Sequence, residues 1–269
     1  MVRKRLIFVL LYQDGNFFLS RNFRLQKIGD INWLNKHYNF RKIAFSIDEL
    51  IVLNVSREKK GIIEFCDCVR MLAEGCFIPI AAGGGICNID DVRSVLKSGA
   101  DKIVINTLLY TNPTMVKELV SVFGSQCIIA SIDIKKSKDG IEVWINNGSQ
   151  KIPELFQEWI STVISLGVGE IYLNSIGKDG TGQGYFWEAI KMLDYNIGIP
   201  LIISGGAGNQ HHLLEGLKTS IVDAVATANL LNFVGNGLPI AREFLVEQGA
   251  PLAKWNISDE INLENYFMK

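Results

Sequence analysis

Short apolar runs of strand length recur along this chain, at Leu6–Leu11, Leu50–Val55, Ile78–Ala82, Lys102–Asn106, Cys127–Ile134, Ile171–Ser175, Leu201–Ser204 and Ala224–Ala228. Their nearly continuous, β-branched content fits strands buried on both faces. Between them, apolar residues return at helical spacing over Ile62–Glu74, Ile89–Ser98, Pro113–Phe123, Ile152–Leu166, Phe186–Tyr195 and His211–Leu217. Eight alternations of buried strand and amphipathic helix predict parallel strands joined by crossovers. At 269 residues, the α/β class is best met by a closed (β/α)8 (TIM) barrel, with an open doubly wound sheet as the alternative. One domain over residues 1–269 is expected, with a small hairpin excursion at Val143–Lys151. The tail from Ala250, carrying Trp255, Ile257, Leu263 and Tyr266, reads as a closing element.

The pattern repeats at half the chain length. Ile78–Gly85 (IPIAAGGG) returns as Ile199–Gly208 (IPLIISGGAG). The segment from Asp101 (DKIVINT) matches that from Asp223 (DAVATAN), and Glu49–Asn54 (ELIVLN) matches Glu170–Asn174 (EIYLN). Such self-similarity points to a repeated structural unit. Two half-barrels are therefore expected, at about 1–124 and 125–249, each strand end having a counterpart across the barrel.

In a barrel of this kind the strand C-termini and the loops after them form the active site. That face should present Leu11, Asn54, Gly83, Gly84, Gly85, Asn106, Thr107, Asp133, Asn174, Ser175, Asp179, Gly180, Ser204, Gly205, Gly206, Ala228 and Asn229. Glycine loops at strand ends can turn backbone N–H groups onto a phosphate. Two such sites are expected. One uses Gly84, Gly85, Asn106 and Thr107; the other uses Gly180, Ser204, Gly206 and Asn229. Their separation suits an elongated ligand with a phosphate at each end, although turns alone would leave the same glycines. Asp133 is the one carboxylate expected at a strand end of the inner ring, as general acid or base or as an orienting group. Asp179, in the loop GKDGTGQG, is a second candidate. His37, His211 and His212 fall on helices as surface residues, and no histidine is placed to activate Cys87.

At the opposite face, Arg5, Glu49, Lys102 and Glu170 each begin a strand. Two bases and two acids should meet there as a ring of ion pairs, either a structural plug or a gate. The net charge of −1 carries no basic excess that would argue for nucleic acid. Five cysteines without a Cys-x-x-Cys or Cys/His cluster argue against structural zinc and for a reducing cytoplasm. The N-terminal run MVRKRLIFVLL ends at Tyr12-Gln13-Asp14 without a cleavage signal and reads as the first strand. No stretch is long and apolar enough for a membrane span.

Taken together, KRLIFVLLYQDG, AAGGGI, DKIVINT, FGSQ, ASIDIK, NSIGKDGTGQGY and ISGGAG make the chain resemble, from about Arg3 to Phe233, the cyclase subunit of imidazole glycerol phosphate synthase. That resemblance implies an enzyme without a cofactor or metal, the barrel half of a glutamine amidotransferase heterodimer. Ammonia from a glutaminase partner would pass through the barrel to a doubly phosphorylated ribulosyl substrate. It also implies phosphate contacts at Gly84, Gly85, Asn106, Thr107, Gly180, Ser204, Gly205, Gly206, Ala228 and Asn229, and an ammonia gate of Arg5, Glu49, Lys102 and Glu170. Asp101 would lie at the glutaminase-docking face, and Asp133 would be one of two catalytic aspartates.

The departures are specific. The other catalytic aspartate falls at Leu11, a mobile-loop lysine at Leu19, an inner aspartate at Asn54 and a threonine at Asn174. Leucine can neither give nor take a proton, so an aspartate pair cannot operate unchanged. The chain is similar to divergent members associated with surface-polysaccharide clusters, which help convert an acetamido sugar to an acetamidino sugar. The expected function is thus an ammonia-receiving barrel diverted to such amidination, with a phosphorylated or sugar-nucleotide substrate. The alternatives are a histidine-biosynthetic cyclase, with Asp179 or water replacing the lost aspartate, and a non-enzymatic scaffold that activates the glutaminase.

Overall fold

The computed structural model describes residues 3–38, 40–57, 62–193, 197–229 and 233–254. Eight strands close on themselves: β1 (Arg5–Gln13), then, past the hairpin β2 (Asn16–Arg21) and β3 (Arg24–Gly29), β4 (Glu49–Asn54), β5 (Ile80–Gly83), β6 (Lys102–Ile105), β7 (Ile128–Lys136), and, past β8 (Ile141–Ile145) and β9 (Gln150–Lys151), β10 (Glu170–Ser175), β11 (Leu201–Ser204) and β12 (Ala224–Thr227). Each of the eight pairs in parallel with the next, and β12 returns to pair with β1 through Arg5↔Ala224 and Leu6↔Val225. This is the (β/α)8 barrel that the alternation predicts.

Side chains alternate across each strand, so every second residue points to the axis. Ile7, Val9, Leu11, Ile51, Ala81, Val104, Ile129, Tyr172, Ile202, Ala224 and Ala226 form the inner cluster. Their neighbours Leu6, Phe8, Leu10, Leu50 and Val52 point outward into the larger layer beneath the helices. The helices are α1 (Ile31–Tyr38), α2 (Ile62–Gly75), α3 (Ile89–Lys97), α4 (Thr107–Thr111), α5 (Pro113–Phe123), α6 (Phe156–Ser165), α7 (Trp187–Lys191), α8 (Gln210–Lys218) and α9 (Gly237–Glu247). Among the described residues, no helix is long and apolar enough to cross a membrane.

Several boundaries differ from the sequence expectation. α6 begins at Phe156 instead of Ile152, because Pro153 disfavours helical geometry at the residue before it. α7 is shorter than its apolar spacing, and positions 194–196 lie outside the described residues. The excursion after β7 is a three-stranded meander, β8 pairing antiparallel with β7 and with β9. The hairpin β2–β3 and the helices α4 and α9 have no counterpart among the sequence expectations, and α1 answers to the helix expected around His37. In the tail, Leu252 is buried and the Pro251 carbonyl accepts from the Lys4 N–H. Trp255, Ile257, Leu263 and Tyr266 lie outside the described residues.

Two pairs of positions are equivalent in detail. The Asp101 carboxylate accepts the Ile80 N–H at 2.8 Å, as that of Asp223 accepts the Leu201 N–H at 2.9 Å. A Cβ on Gly84 would come 2.1 Å from the Asn54 carbonyl oxygen, and one on Gly205 would come 2.6 Å from that of Ser175. The register also corrects the sequence match: Leu53↔Gly83 corresponds to Asn174↔Ser204. Asn174 is therefore the counterpart of Leu53, and Asn54 that of Ser175.

Candidate functional site

At the strand N-termini the four charged residues form a closed circuit. Arg5 donates from Nη1 to Glu49 Oε2 and from Nη2 to Glu170 Oε2, both at 2.6 Å. Lys102 Nζ bridges Glu49 Oε1 at 3.0 Å and Glu170 Oε1 at 2.6 Å. Each carboxylate thus meets both cations. Burial pushes the Glu49 carboxyl above its ordinary range, against the pull of Arg5 and Lys102. Burial acts on Glu170 in the same sense, but there the bonds from Arg5 and Lys102 win and its carboxyl lies low. Asp101 stands at this rim with its carboxylate engaged by Ile80.

The strand C-termini open into two adjoining cavities. The larger, about 540 Å³, is lined by Leu11, Asn54, Gly84, Gly85, Asn106, Thr107, Asp133 and Asn174 among others. The smaller, about 170 Å³, is lined by Gly180, Ser204, Gly205, Gly206, Ala228 and Asn229 together with residues of the β2–β3 hairpin. Ser20, Asp179, Ser204 and Ala228 line both. Of the residues expected at the mouth, Gly83 and Ser175 are buried in their strands and line neither cavity; the others line one or both, and the charged circuit lies at the far end. The two glycine loops follow β5 and β11, four strands apart in a ring of eight, so they face each other across the mouth.

Asp133 sits at the larger cavity's polar wall. Asn174 Nδ2 donates to Oδ1 at 3.2 Å and Asn106 Nδ2 to Oδ2 at 3.3 Å. Burial pushes this carboxyl up to about 7; Asn174 opposes the shift and the charge of Asp179 adds to it. A carboxyl poised there can give or take a proton near neutrality. Directly across the ring, β1 presents Leu11, and Val9, Leu25 and Leu53 extend it into an apolar wall. Among the described residues, no second proton-transferring group faces Asp133 from that side.

Asp179 has a different setting from the open loop expected for it. It is buried, its Oδ2 accepts from the Ser20 hydroxyl and from the Phe23 N–H at 3.1 Å, and its carbonyl accepts the Asn22 N–H at 3.0 Å. Burial raises its pKa, and the bonds from Ser20 and Phe23 pull it back. The carboxylate holds the hairpin tip across the mouth. Thr107 similarly ties a second excursion, its Oγ1 accepting the Asn146 N–H at 3.0 Å. Ser204 is reached from within the barrel, where the buried Tyr172 hydroxyl donates to its Oγ at 2.8 Å.

A family model described as "Histidine biosynthesis protein" matches residues 26–235. The chain is 38% identical over 252 residues to the imidazole glycerol phosphate synthase subunit HisF of Clostridium botulinum (strain 657 / Type Ba4), covering 93% of this chain and 98% of that one. The chain belongs to the histidine biosynthesis protein family. Another HisF relative, from Dictyoglomus thermophilum, matches to the same extent. A protein of Parasynechococcus marenigrum (strain WH8102) is 44% identical over 95% of both chains; its provisional name is imidazole glycerol phosphate synthase subunit hisF2.

For a HisF-type barrel, the sequence reading passed over four features of the mouth: Ser20 and Phe23 on Asp179, the Tyr172–Ser204 bond, Arg57, and the hairpin arginines. Arg57 Nη2 donates to the Phe23 carbonyl at 3.1 Å. Only the Asp14-Gly15 turn, between the paired Gln13 and Asn16, carried a readable signal for the hairpin. The histidines sit on α1 and α8: His37 stacks on Trp33, His211 packs against Phe244, and His212 Nδ1 accepts the Gly208 N–H. Cys87 is exposed at the rim of the larger cavity, and the other four cysteines are buried.

Proposed function

We propose that this HisF-type barrel is the ammonia-receiving subunit of a glutamine amidotransferase complex. A glutaminase would dock at the strand N-termini near Asp101, and ammonia would pass the Arg5–Glu49–Lys102–Glu170 circuit toward the top cavities. The observation that carries this reading is the circuit itself. Four charged side chains across the barrel entrance pay a desolvation penalty that apolar plugs would avoid. A set that can open and close justifies that cost better than a plug does. The equivalences at Gly84/Gly205 and Asp101/Asp223 support an origin in two half-barrels, about residues 1–124 and 125–249. The glycine loops support binding of a phosphorylated or sugar-nucleotide ligand.

We further propose that the ammonia is used for amidination of an acetamido sugar in surface-polysaccharide synthesis instead of imidazole-ring closure. Leu11 opposite Asp133 supports this, because among the described residues that wall holds no acid–base partner of the kind ring closure requires. The second reading, a cyclase of histidine biosynthesis that forms imidazole glycerol phosphate, draws on the HisF relatives and on the Asp133 carboxyl poised near 7. A scaffold that only activates the glutaminase is the third.

The test combines the barrel with the glutaminase encoded in the same genome. Glutamate release should rise when the barrel is added, and glutamine should serve as nitrogen donor better than free ammonium. Complementation of a cyclase-deficient histidine auxotroph would overturn the diversion to sugars. If no glutaminase binds, the conduit reading itself fails.

A further inference from the structure

The hairpin β2–β3 ends in Arg21 and Arg24, directly opposite each other in the register. Like charges in facing cross-strand positions repel. Among the described residues neither guanidinium has a hydrogen-bond or ion-pair partner. Asp179, the one carboxylate among the described residues lining the smaller cavity, accepts from Ser20 and Phe23 through Oδ2. Both arginines line the smaller cavity, beside Gln26, Gly180, Gly205 and Gly206.

Their position is fixed by close packing. A Cβ on Gly180 would lie 2.0 Å from the Ser20 carbonyl oxygen and 2.8 Å from Arg21 Cα, so the strand is laid directly on the glycine loop. The two turn residues between the arginines both have positive φ, 53° at Asn22 and 62° at Phe23. For a bulky residue such as Phe23 that conformation is an outlier that its surroundings must impose. Asp179 accepts its N–H, Arg57 donates to its carbonyl, and Asn22 Nδ2 donates to the carbonyls of Ile176 and Gly177. A Cβ at position 148 would come 2.7 Å from the Phe23 ring, which Gly148 avoids. Such pinning at a strained turn has one direct consequence: it holds two cations against one edge of the cavity.

The two glycine loops are otherwise alike, so the asymmetry between them is informative. Among the described residues lining the larger cavity, Arg57 is the one cation, and its guanidinium already donates to Phe23. The smaller cavity has two uncommitted guanidiniums. Backbone N–H groups at a glycine loop suffice for a single phosphate. Guanidinium forks match further phosphate oxygens in a bidentate manner.

We propose that Arg21 and Arg24 complete the second cradle as a binding site for a diphosphate group. The proposal rests on the reading of Gly180, Gly205 and Gly206 as an anion cradle, and it is independent of ammonia conduction. Its test therefore needs neither glutaminase nor turnover. Isotope-labelled protein is titrated with inorganic pyrophosphate and, separately, with inorganic phosphate at matched ionic strength, since exposed charges are screened by salt. The Gly205 and Gly206 amides report the second cradle; Gly84 and Gly85 report the first. Pyrophosphate should bind the second cradle roughly tenfold or more tightly than phosphate. In the doubly substituted Arg21→Gln/Arg24→Gln protein that preference should fall to less than about threefold, with the response at Gly84 and Gly85 unchanged. Both arginines are exposed, so an unaltered amide spectrum elsewhere verifies the fold. Equal affinities in the native protein, a preference that survives the double substitution, shifts confined to Gly84 and Gly85, or no response to either anion would each overturn the proposal.

Discussion

Replacing Lys102 by methionine removes one cation from the charged circuit while keeping a stem of similar length. Arg5 still meets one oxygen of each carboxylate at 2.6 Å, but the oxygens that Lys102 held at 3.0 and 2.6 Å are left bare. The circuit changes from balanced to net negative. The Glu49 side chain is only 2% exposed, so water cannot replace the ammonium there. Removing one partner from a buried pair costs about 3–5 kcal/mol. Here Arg5 retains both acids and the ammonium is 19% exposed, so about 2–3 kcal/mol is expected at mildly alkaline pH.

The pH dependence supplies the sharper test. The Glu49 carboxyl lies above its ordinary range through burial, and the loss of Lys102 raises it further. A carboxyl with a raised folded pKa holds a proton that the unfolded chain has released, so stability falls as pH rises through that window. Glu170 has the opposite sign. Its low folded pKa adds stability above the unfolded value, which is lost as pH falls through the folded one. With Lys102 gone, the Glu170 contribution shrinks and the Glu49 penalty grows, so the deficit should be small near pH 5 and full near pH 8. Urea titrations of the native protein, Lys102→Met, Glu49→Gln and the double variant measure it. Matching one cation to one anion, the double variant should recover most of the loss. A Lys102→Met penalty below about 0.5 kcal/mol, one that is independent of pH, or a double variant no better than the single would refute the treatment of these four side chains as one unit.

Three further outcomes follow from the mouth. Asp133→Asn should stabilise the protein above neutrality, because the native carboxyl at about 7 costs stability as pH climbs from its unfolded value; the gain, read by urea titration, is at most about 4 kcal/mol. Leu11→Asp should lower stability by about 1–3 kcal/mol, through a second carboxyl in an apolar wall, and should raise the Asp133 pKa further, as carboxyl carbon chemical shifts would reveal. Gly205→Ala should cost about 3 kcal/mol or more, because φ is +89° and the new methyl meets the Ser175 carbonyl; loss of phosphate-induced shifts at the Gly206 amide would accompany it.

How much of this was legible from the sequence depends on where each residue gets its constraint. Strand cores such as Leu201–Ser204, buried on both faces, announce themselves through β-branched content and were placed to the residue. Arg5, Glu49, Lys102 and Glu170 could be brought together from sequence because each opens a strand, and strand starts share one rim. The hairpin was opaque for the opposite reason. Its second strand, RLQKIG, has no buried residue and carries no apolar alternation, and its turn uses Asn22-Phe23 where Asn-Gly would be the recognisable form. What makes Phe23 tolerable there lies about 125 and 155 residues away, at Gly148 and Asp179. Long-range compensation of that kind leaves no local pattern. The hairpin also gives Asp179 a setting that its loop sequence does not announce, with Oδ2 accepting from both Ser20 and Phe23.

The interior between the two ends bears on what the barrel can pass. Above the charged circuit the axis is lined by Ile7, Ile51, Ala81, Ile129, Ile202, Ala224 and Ala226, and the buried hydroxyls of Tyr172 and Ser204 meet above them. A charged ammonium would face the same desolvation penalty along that stretch as any buried ion, whereas neutral ammonia would not. If ammonia crosses the barrel as proposed, an apolar lining would select the uncharged form, and a proton would have to be left at the circuit below it. Tyr172→Phe keeps the packing and removes the one hydroxyl that meets Ser204. If Tyr172 only fills the space left by Ala81, Ala224 and Ala226, the variant should match the native protein in glutamine-dependent turnover with its glutaminase. If its hydroxyl is a station for the passing molecule, glutamine-dependent turnover should fall several-fold while turnover with ammonium supplied at the top is unchanged. The apolar lining favours a station: on the proposed route, the inner cluster of described residues offers ammonia the Tyr172 hydroxyl among aliphatic side chains before Ser131 and Asp133 are reached.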